Sequence, residues 1–318
     1  MRAALLHRCG EPPAVGEREM PKPSDDRQTV RVTAASITPL DVLCATGTSY
    51  FGEPATPYVP GVQGVGERGD GAPVWFATSA GMRPGDGSLA EYAAVPPADL
   101  VPLPDGVDHR LMAALGLSAV AALMSLTVRG NLRDGEQVLV LGGGGVVGQA
   151  AIQLARLHGA RHVVAACRSE SARSRAARAG ADAVVPIVAH SVADLAAEFT
   201  AAADGAVDLV IDPLFGIPAA AALRTLRPGG RLVNLGSSAG DTAPFDSATL
   251  RGGALTVLGY TNNALTVDQR ADAIRAIAEY ARDGKLTVDF KPVALADITD
   301  AWSRQAEGTA DRRLVVVP

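Results

Sequence analysis

The stretch Val138–Ala155 reads VLVLGGGGVVGQAAIQLA. Its apolar start predicts a buried strand, and the residues after the glycines predict an amphipathic helix. Gly143, Gly145 and Gly148 fit the spacing G-x-G-x-x-G, and a looser G-x-x-G-x-x-G begins at Gly142. A strand that runs through such glycines into a helix is typical of a dinucleotide-binding turn.

The glycines of this turn have separate predicted tasks. Without a Cβ, Gly145 lets the backbone approach a pyrophosphate, whose charge then lies against the helix N-terminus formed by Val146 and Val147. Gly148 lets the helix lie close to the strand. The alternative interpretation is a flexible glycine hinge, which would not require strands and helices on both sides.

Strands and helices do alternate regularly, from the strand that enters the turn onward. Strands are predicted at Gln137–Leu141, His162–Ala166, Ala183–Val185, Val207–Asp212, Arg231–Leu235 and Leu255–Leu258. Helices are predicted at Val147–Leu157, Ser171–Ala179, Val192–Ala203 and Ile217–Leu226, the last closed by Pro228–Gly230. Six strands with intervening helices predict an α/β fold with a doubly wound parallel sheet.

The flanking regions have a different texture. Residues 1 to about 115 contain short β-rich segments broken by Pro and Gly, and a helix is predicted at Leu111–Leu126. After Tyr260 a helix at Val267–Arg282 is followed by extended segments at Thr287–Val293 and Leu314–Val317. We therefore expect a β-rich domain made of residues 1–116 and 261–318, with a dinucleotide-binding domain of residues 117–260 inserted in it.

Composition limits the partners. Aromatic residues make up only 4% of the chain and the net charge is -5, so the basic field and stacking platforms that nucleic acid needs are missing. No basic surface for an anionic membrane, signal peptide or long apolar run is evident either, which predicts a cytoplasmic protein with a small-molecule substrate. Cys9, Cys44 and Cys167 show no C-x-x-C spacing, so neither a disulfide framework nor a structural zinc site is expected.

Several motifs, taken in order, carry a family resemblance. They are Ala34–Asp41, Pro57–Gly64, Gly87–Val95, the glycine turn, Val207–Pro213, Leu226–Ser237 and Arg313–Pro318. Together they resemble the medium-chain dehydrogenase/reductase superfamily and, within it, the zinc-independent quinone oxidoreductase (zeta-crystallin-like) branch. The resemblance implies a GroES-like first domain with a Rossmann domain inserted in it.

The resemblance also implies cofactor contacts. Gly142, Gly145 and Gly148 would hold the pyrophosphate, and Ser118 would lie near the nicotinamide, although a local hydrogen bond within its helix is an equal alternative. Pro213 would line the cofactor site, and is otherwise an ordinary loop residue. Gly236 and Ser237 follow a sheet strand, where a ligand crevice is expected.

Two positions argue against catalytic zinc. Zinc alcohol dehydrogenases of this superfamily have Cys where this chain has Thr38 and His where it has Val62, and neither residue here supplies a ligand that zinc prefers. We therefore predict no bound metal and an acceptor that delocalises the hydride itself: a quinone, an enone or a similar conjugated carbonyl.

The candidates for polarising or protonating the acceptor are Tyr50, Tyr58 and the hydroxyl of Thr38. Tyr50 and Phe51 could instead only shape an apolar pocket. Asp41 is predicted to orient a backbone turn or a neighbouring side chain.

The residue that distinguishes NADH from NADPH is expected about 20 residues beyond the glycine turn, and Arg168 occupies this position. With Arg173 and Arg175 on the next helix, it forms a positive region that can bind a 2′-phosphate, which predicts NADPH. The family resemblance implies that the hydroxyl of Ser169 contacts the same phosphate. Glu170 is the opposing residue, and a helix dipole alone explains it. The alternative for the arginines is a solvated basic helix face.

Other functions stay open at this level. An enoyl reductase of a biosynthetic pathway would differ mainly in pocket shape. A dinucleotide-binding protein with little redox turnover and a non-redox enzyme on the same fold are further alternatives. The strand at Leu255–Leu258 resembles the edge strand through which relatives dimerise, so a homodimer is expected.

Overall fold

The computed structural model describes residues 1–24, 26–188 and 191–318. The strands are β1 (Arg2–Leu5), β2 (Ala14–Glu17), β3 (Gln28–Ser36), β4 (Gln63–Glu67), β5 (Pro73–Ala77), β6 (Tyr92–Val95), β7 (Leu100–Pro102), β8 (Gln137–Leu141), β9 (His162–Cys167), β10 (Ala183–Pro186), β11 (Val207–Asp212), β12 (Leu226–Asn234), β13 (Thr256–Gly259), β14 (Phe290–Ala294) and β15 (Arg313–Val317). The α-helices are α1 (Pro39–Ala45), α2 (His109–Met124), α3 (Val146–Leu157), α4 (Glu170–Arg178), α5 (Val192–Ala202), α6 (Gly216–Leu223), α7 (Ser247–Gly252), α8 (Val267–Arg282) and α9 (Ile298–Ala306).

The chain divides into two compact units. The first contains Met1–Gly116, Val267–Gly284 and Asp289–Pro318, and the second contains Leu117–Thr266 and Lys285–Val288. The chain thus leaves the first unit after Gly116 and first returns to it at Val267, whereas the sequence placed the return at residue 261. Residues 285–288 group with the second unit, although the sequence assigned them to the first.

A six-stranded parallel sheet forms the centre of the second unit, in the order β10-β9-β8-β11-β12-β13. Every residue of β8 is buried, which explains its unbroken apolar run. The strand order reverses between β8 and β11, and ligands of open α/β sheets bind at the carboxyl ends of the strands beside such a reversal. The predicted α/β fold with a doubly wound parallel sheet is confirmed, and β8 and β11 have their predicted bounds.

One helix end was predicted wrongly. Helix α6 ends at Leu223, and the Pro228–Gly230 segment expected to close it lies inside β12. The pairing of β12 with β11 shifts register between Val207 and Leu209, and Gly229 has a φ of 73°. Pro and Gly mark a bulge in this strand, and the same residues would also mark a helix end.

The first unit is built around a seven-stranded sheet. Strands β14-β15-β3-β4-β5-β7 follow each other in that order, and β6 also pairs with β3. Strands β1 and β2 form an antiparallel pair, and a buried apolar cluster includes Leu6, Phe76, Leu89 and Trp302. Because β15 pairs with β3, the last strand of the chain completes a sheet that begins near its start.

The helical segment His109–Arg129 is long and apolar enough to cross a membrane, but 72% of its most apolar window is buried inside the structure. It includes α2, which bends at Gly116 (φ 32°, ψ -130°), and a π-helical turn at Ser125–Arg129. Burial of this kind is typical of a core helix.

A buried ion pair stabilises the second unit away from the glycine turn. Arg231 donates from both terminal nitrogens to Glu136, at 2.9 Å for Oε1, and the backbone N–H of Arg133 donates to Oε2 at 2.9 Å. Burial alone would raise the pKa of Glu136, but these hydrogen bonds bring it below its ordinary value.

We expect Glu136→Gln to lower the free energy of unfolding by about 2 kcal/mol, because it takes the carboxylate partner from the largely buried Arg231, which then keeps only its hydrogen bonds to backbone carbonyls. Since the pKa of Glu136 is lower in the folded state, its contribution is present above about pH 5 and is lost as pH falls through the folded pKa. Denaturant titrations from pH 7 to pH 3 should show the two proteins converging. The exposed Glu307→Gln is the control, and an equal stability of E136Q and wild type at pH 7 would contradict the expectation.

Candidate functional site

The glycine turn connects β8 to α3. Gly142 adopts a φ of 66°, the N–H of Gly145 donates to the carbonyl of Gly142 at 3.0 Å, and α3 begins at Val146. Gly145 is the N-cap residue, and no side chain caps the helix. Since the first N–H groups of a helix have no partner inside it, those of Val146 and Val147 are available to an anion.

The space around the turn differs sharply between its glycines. A Cβ at Gly145 would approach nothing closer than 3.5 Å, the distance to the carbonyl oxygen of Gly142. A Cβ at Gly148 would lie 2.3 Å from that same oxygen. Gly145 therefore faces open space where a pyrophosphate would lie, and Gly148 holds α3 against the turn. The residues present fit a dinucleotide.

The sequence predicted no separate role for Gly143 or Gly144, but close packing requires glycine at both positions. A Cβ at Gly143 would lie 2.7 Å from the Cβ of Ala165, and one at Gly144 would lie 2.5 Å from the backbone of Ala172. The carbonyl of Gly144 accepts from Nε of Arg175 at 2.9 Å and from Nε2 of Gln149 at 3.0 Å. The turn is therefore held by neighbouring side chains, which argues against a flexible hinge.

Arg168 follows the last residue of β9 and is exposed. Ser169 caps α4 by accepting from the N–H of Ala172 at 3.2 Å, and Arg173 donates to the carbonyl of Arg168 at 3.3 Å. Within the part of the chain that the structure describes, no carboxylate forms an ion pair with Arg168, Arg173 or Arg175. The region therefore keeps a net positive charge, because Glu170 offsets only one of the three arginines. Its Ser169 hydroxyl also has a structural task that the sequence did not predict.

The loops after β11 and β12 meet at the same edge of the sheet. A Cβ at Gly236 would lie 2.8 Å from the carbonyl oxygen of Pro213, so only glycine fits there without movement. The hydroxyl of Ser238 donates to that oxygen at 3.2 Å, while the carbonyl of Ser237 accepts from Gly240. A Cβ at Gly142 would lie 3.3 Å from Pro213, which places Pro213 beside the glycine turn. Ser238 was missed by the sequence reasoning.

Ser118 is half-buried and follows the bend of α2 at Gly116. The carbonyl of the preceding Leu117 accepts from Nδ2 of Asn262 at 3.0 Å, so this part of the helix is fixed within the second unit. A contact of Ser118 with a nicotinamide stays a prediction.

In the first unit, Thr38 is the N-cap of α1. Its hydroxyl donates to Oδ2 of the buried Asp41 at 2.6 Å, and it accepts from the N–H of Asp41 at 3.2 Å. Oδ1 of Asp41 accepts from the N–H of Gly61 at 3.1 Å and of Val62 at 2.8 Å. The expectation that Asp41 orients a turn agrees with these bonds. The Thr38 proton is already donated, so this arrangement favours a structural task for Thr38 over polarisation of a substrate.

The two tyrosines named as proton donors lie in different surroundings. Tyr50 is 76% exposed, with its ring centroid 4.2 Å from that of Phe51. Tyr58 is buried, and its hydroxyl has no hydrogen-bond partner among the described residues. Burial, with smaller contributions from Cys44 and Asp41, raises the pKa of Tyr58. Its phenol therefore stays neutral, whereas Tyr50 keeps its candidate role only as an exposed donor.

Metal ligands do not gather in the described ranges: no three His, Cys, Asp or Glu side chains form a group that could hold an ion. Burial raises the pKa of Cys44 to about 11, so this thiol stays protonated. Cys9, Cys44 and Cys167 are all free thiols.

Comparisons with known proteins identify a matching family and several related sequences. The family described as zinc-binding dehydrogenase matches residues 146–280. The quinone oxidoreductase of Rattus norvegicus is 32% identical over 251 residues, which are 74% of this chain and 73% of that protein. A phenolphthiocerol/phthiocerol polyketide synthase polypeptide of Mycobacterium tuberculosis is 29% identical over 95% of this chain, which spans only 14% of that polypeptide.

A solved structure extends the likeness over the complete chain. The quinone oxidoreductase from Thermus thermophilus, whose structure is also known in complex with NADPH, is 26% identical with a TM-score of 0.82 and 100% coverage of both chains.

Proposed function

Because the chain belongs to the quinone oxidoreductase branch of the medium-chain dehydrogenase/reductase superfamily, we propose that it is a cytoplasmic, zinc-independent enzyme that reduces a conjugated carbonyl with NADPH. The observation that carries this proposal is the uncapped N-terminus of α3, with open space at Gly145, at the carboxyl edge of a parallel sheet. Bound there, NADPH would supply a hydride. The chain's own part is to bind and orient it.

Binding divides among three groups of residues. Gly142, Gly145 and the first N–H groups of α3 would hold the pyrophosphate. Arg168 and Arg173 would attract the 2′-phosphate, because no carboxylate among the described residues forms an ion pair with them. The loops at Pro213 and at Gly236–Ser237 would line the remaining edge.

The acceptor class follows from the zinc-ligand positions. The Thr38 hydroxyl is bound to Asp41, and the side chain of Val62 offers no donor atom. Without a Lewis acid at these positions, an acceptor that delocalises the incoming charge itself, as a quinone or an enone does, is favoured.

The test is NADPH oxidation by the purified protein with a panel of quinones, conjugated enones and unactivated ketones. We expect turnover with conjugated acceptors only. Likeness to a polyketide synthase favours, as a second candidate, an enoyl reductase of a biosynthetic pathway, which would prefer enoyl thioesters. Binding of NADPH without turnover of any acceptor would instead indicate a dinucleotide-binding protein.

We predict that the protein binds no zinc. Elemental analysis of protein purified without chelator should find far less than one zinc per chain, because Thr38 and Val62 replace both ligands. Stoichiometric zinc would overturn the prediction.

We also predict a homodimer. β13 is an edge strand of the six-stranded sheet, and Val257 within it is 39% exposed. Light scattering should give about twice the chain mass of 32.5 kDa. Val257→Lys should shift the mass toward the monomer, whereas Val15→Lys, an equally exposed position on β2, should not. A wild type at the monomer mass would contradict the prediction.

A further inference from the structure

Phe215 has an unusual backbone. Its φ of 59° and ψ of -159° lie in a region that is essentially reserved for glycine. Such a conformation costs about 1–3 kcal/mol and persists only where the surroundings enforce it. The residue follows β11 at the carboxyl edge of the sheet, and the strain therefore lies beside the candidate dinucleotide site.

A buried carboxylate binds the backbone at this residue. Asp212 is completely buried, and its Oδ1 accepts from the N–H of Leu214 at 2.9 Å and of Phe215 at 2.8 Å. Its Oδ2 accepts from Nδ2 of Asn234 at 3.0 Å, and Asn234 also donates to the carbonyl of Gly236 at 2.8 Å. Asp212 thus connects the loop after β11 to the end of β12.

Side chains contact the loop from two sides. The Phe215 ring meets Phe245, from the loop after β12, edge to face with centroids 5.7 Å apart. On the other side, a Cβ at Gly142 would lie 3.1 Å from the side chain of Leu214. The segment Pro213–Phe215 is therefore held between the glycine turn and the loop that carries Phe245.

We propose that Asp212 is a positioning residue for the dinucleotide, which it acts upon through the strained segment Pro213–Phe215. The segment forms a rigid wall beside the glycine turn. This wall has the same conformation before and after the cofactor binds. This inference rests on the proposed binding of a dinucleotide at the turn. It does not depend on which acceptor is reduced or on the preference for NADPH.

The test measures, for each variant, the dissociation constants of NADPH and NADH and, separately, the melting temperature. In Asp212→Asn, the remaining side-chain oxygen can still accept from the two N–H groups. The new NH2 group, however, would face the NH2 group of Asn234, so two donors would meet without an acceptor. We expect the constants for both dinucleotides to rise about tenfold, at a temperature where the variant is fully folded, with their ratio unchanged. Asp246→Ala is the control, since Asp246 caps α7 by accepting from the N–H of Thr249 at 2.8 Å and loss of an N-cap costs about 1 kcal/mol. It should lower the melting temperature without changing either constant.

Phe215→Gly removes the strain and leaves the buried charge in place. It should fold at least as stably as Phe245→Ala, which loses the same ring contact but keeps the strain, and it should bind both dinucleotides several-fold more weakly than wild type. Unchanged constants in Asp212→Asn or in Phe215→Gly would overturn the inference. A wild type that binds dinucleotide but reduces no acceptor would refute only the proposed reductase, while one that binds neither dinucleotide would refute both.

Discussion

Gly145→Val should weaken dinucleotide binding about 100-fold while the protein remains folded. The φ of -77° and ψ of 168° at this position suit any L-residue, and a Cβ there meets nothing nearer than 3.5 Å. The isopropyl group would fill the space in which a pyrophosphate approaches the N–H groups of Val146 and Val147. Loss of two charge-assisted hydrogen bonds of about 1.5 kcal/mol each raises the dissociation constant about 100-fold.

Calorimetric titration with NADPH and thermal unfolding followed by circular dichroism would measure the two effects separately. Gly148→Ala is the contrasting variant, because its Cβ would lie 2.3 Å from the carbonyl oxygen of Gly142. It should destabilise the protein by about 3 kcal/mol. If G145V bound NADPH like the wild type, the dinucleotide would have to bind elsewhere.

Arg168→Asp should remove the preference for NADPH. The change replaces a cation that can bind the 2′-phosphate by an anion that repels it and can accept from the ribose hydroxyls. We expect the ratio of kcat/KM for NADPH to that for NADH to fall about 100-fold, which corresponds to about 2.7 kcal/mol. The measurement is steady-state kinetics with both cofactors and one conjugated acceptor.

Two further variants show whether the charge at position 168 sets the cofactor preference, or whether a change of surface charge or of the glycine turn does. Arg251→Asp makes the same charge change at an exposed position of α7 and should leave the ratio unchanged. Arg175→Lys keeps the positive charge but loses the Nε donor that holds the carbonyl of Gly144, so it should weaken both cofactors alike. A wild type that prefers NADH, or an R168D variant with the wild-type ratio, would refute the assignment.

The second unit could be predicted closely because its signals are local. An apolar strand, four glycines and an amphipathic helix follow one another within Val138–Ala155, and parallel strands buried on both faces give continuous apolar runs. The exact bounds of β8 and β11 came from such patterns. The end of α6 did not, since Pro228 and the glycines after it fit a bulge as well as a helix end.

The candidate site was harder, because the tasks of side chains depend on distant partners. Thr38 was proposed as a hydroxyl facing the substrate, although the spacing Thr38-Pro-Leu-Asp41 already contained the signal of a capping box. Nothing local indicated that Arg175 would reach the glycine turn. Asp212 was visible as the last residue of a predicted strand, but nothing local indicated that its carboxylate would bind both Phe215 and Asn234 from another strand.

The pairing of β15 with β3 has a consequence for how the chain folds during synthesis. Val315 lies opposite Ser36, so strands from near the two ends of the sequence are neighbours in one sheet. Contacts so distant in sequence form late, because a long loop must close first. The second unit is synthesised in full before β15 leaves the ribosome, so it can fold first. Its folding would bring β15 closer to β3 and to the other early strands of the seven-stranded sheet.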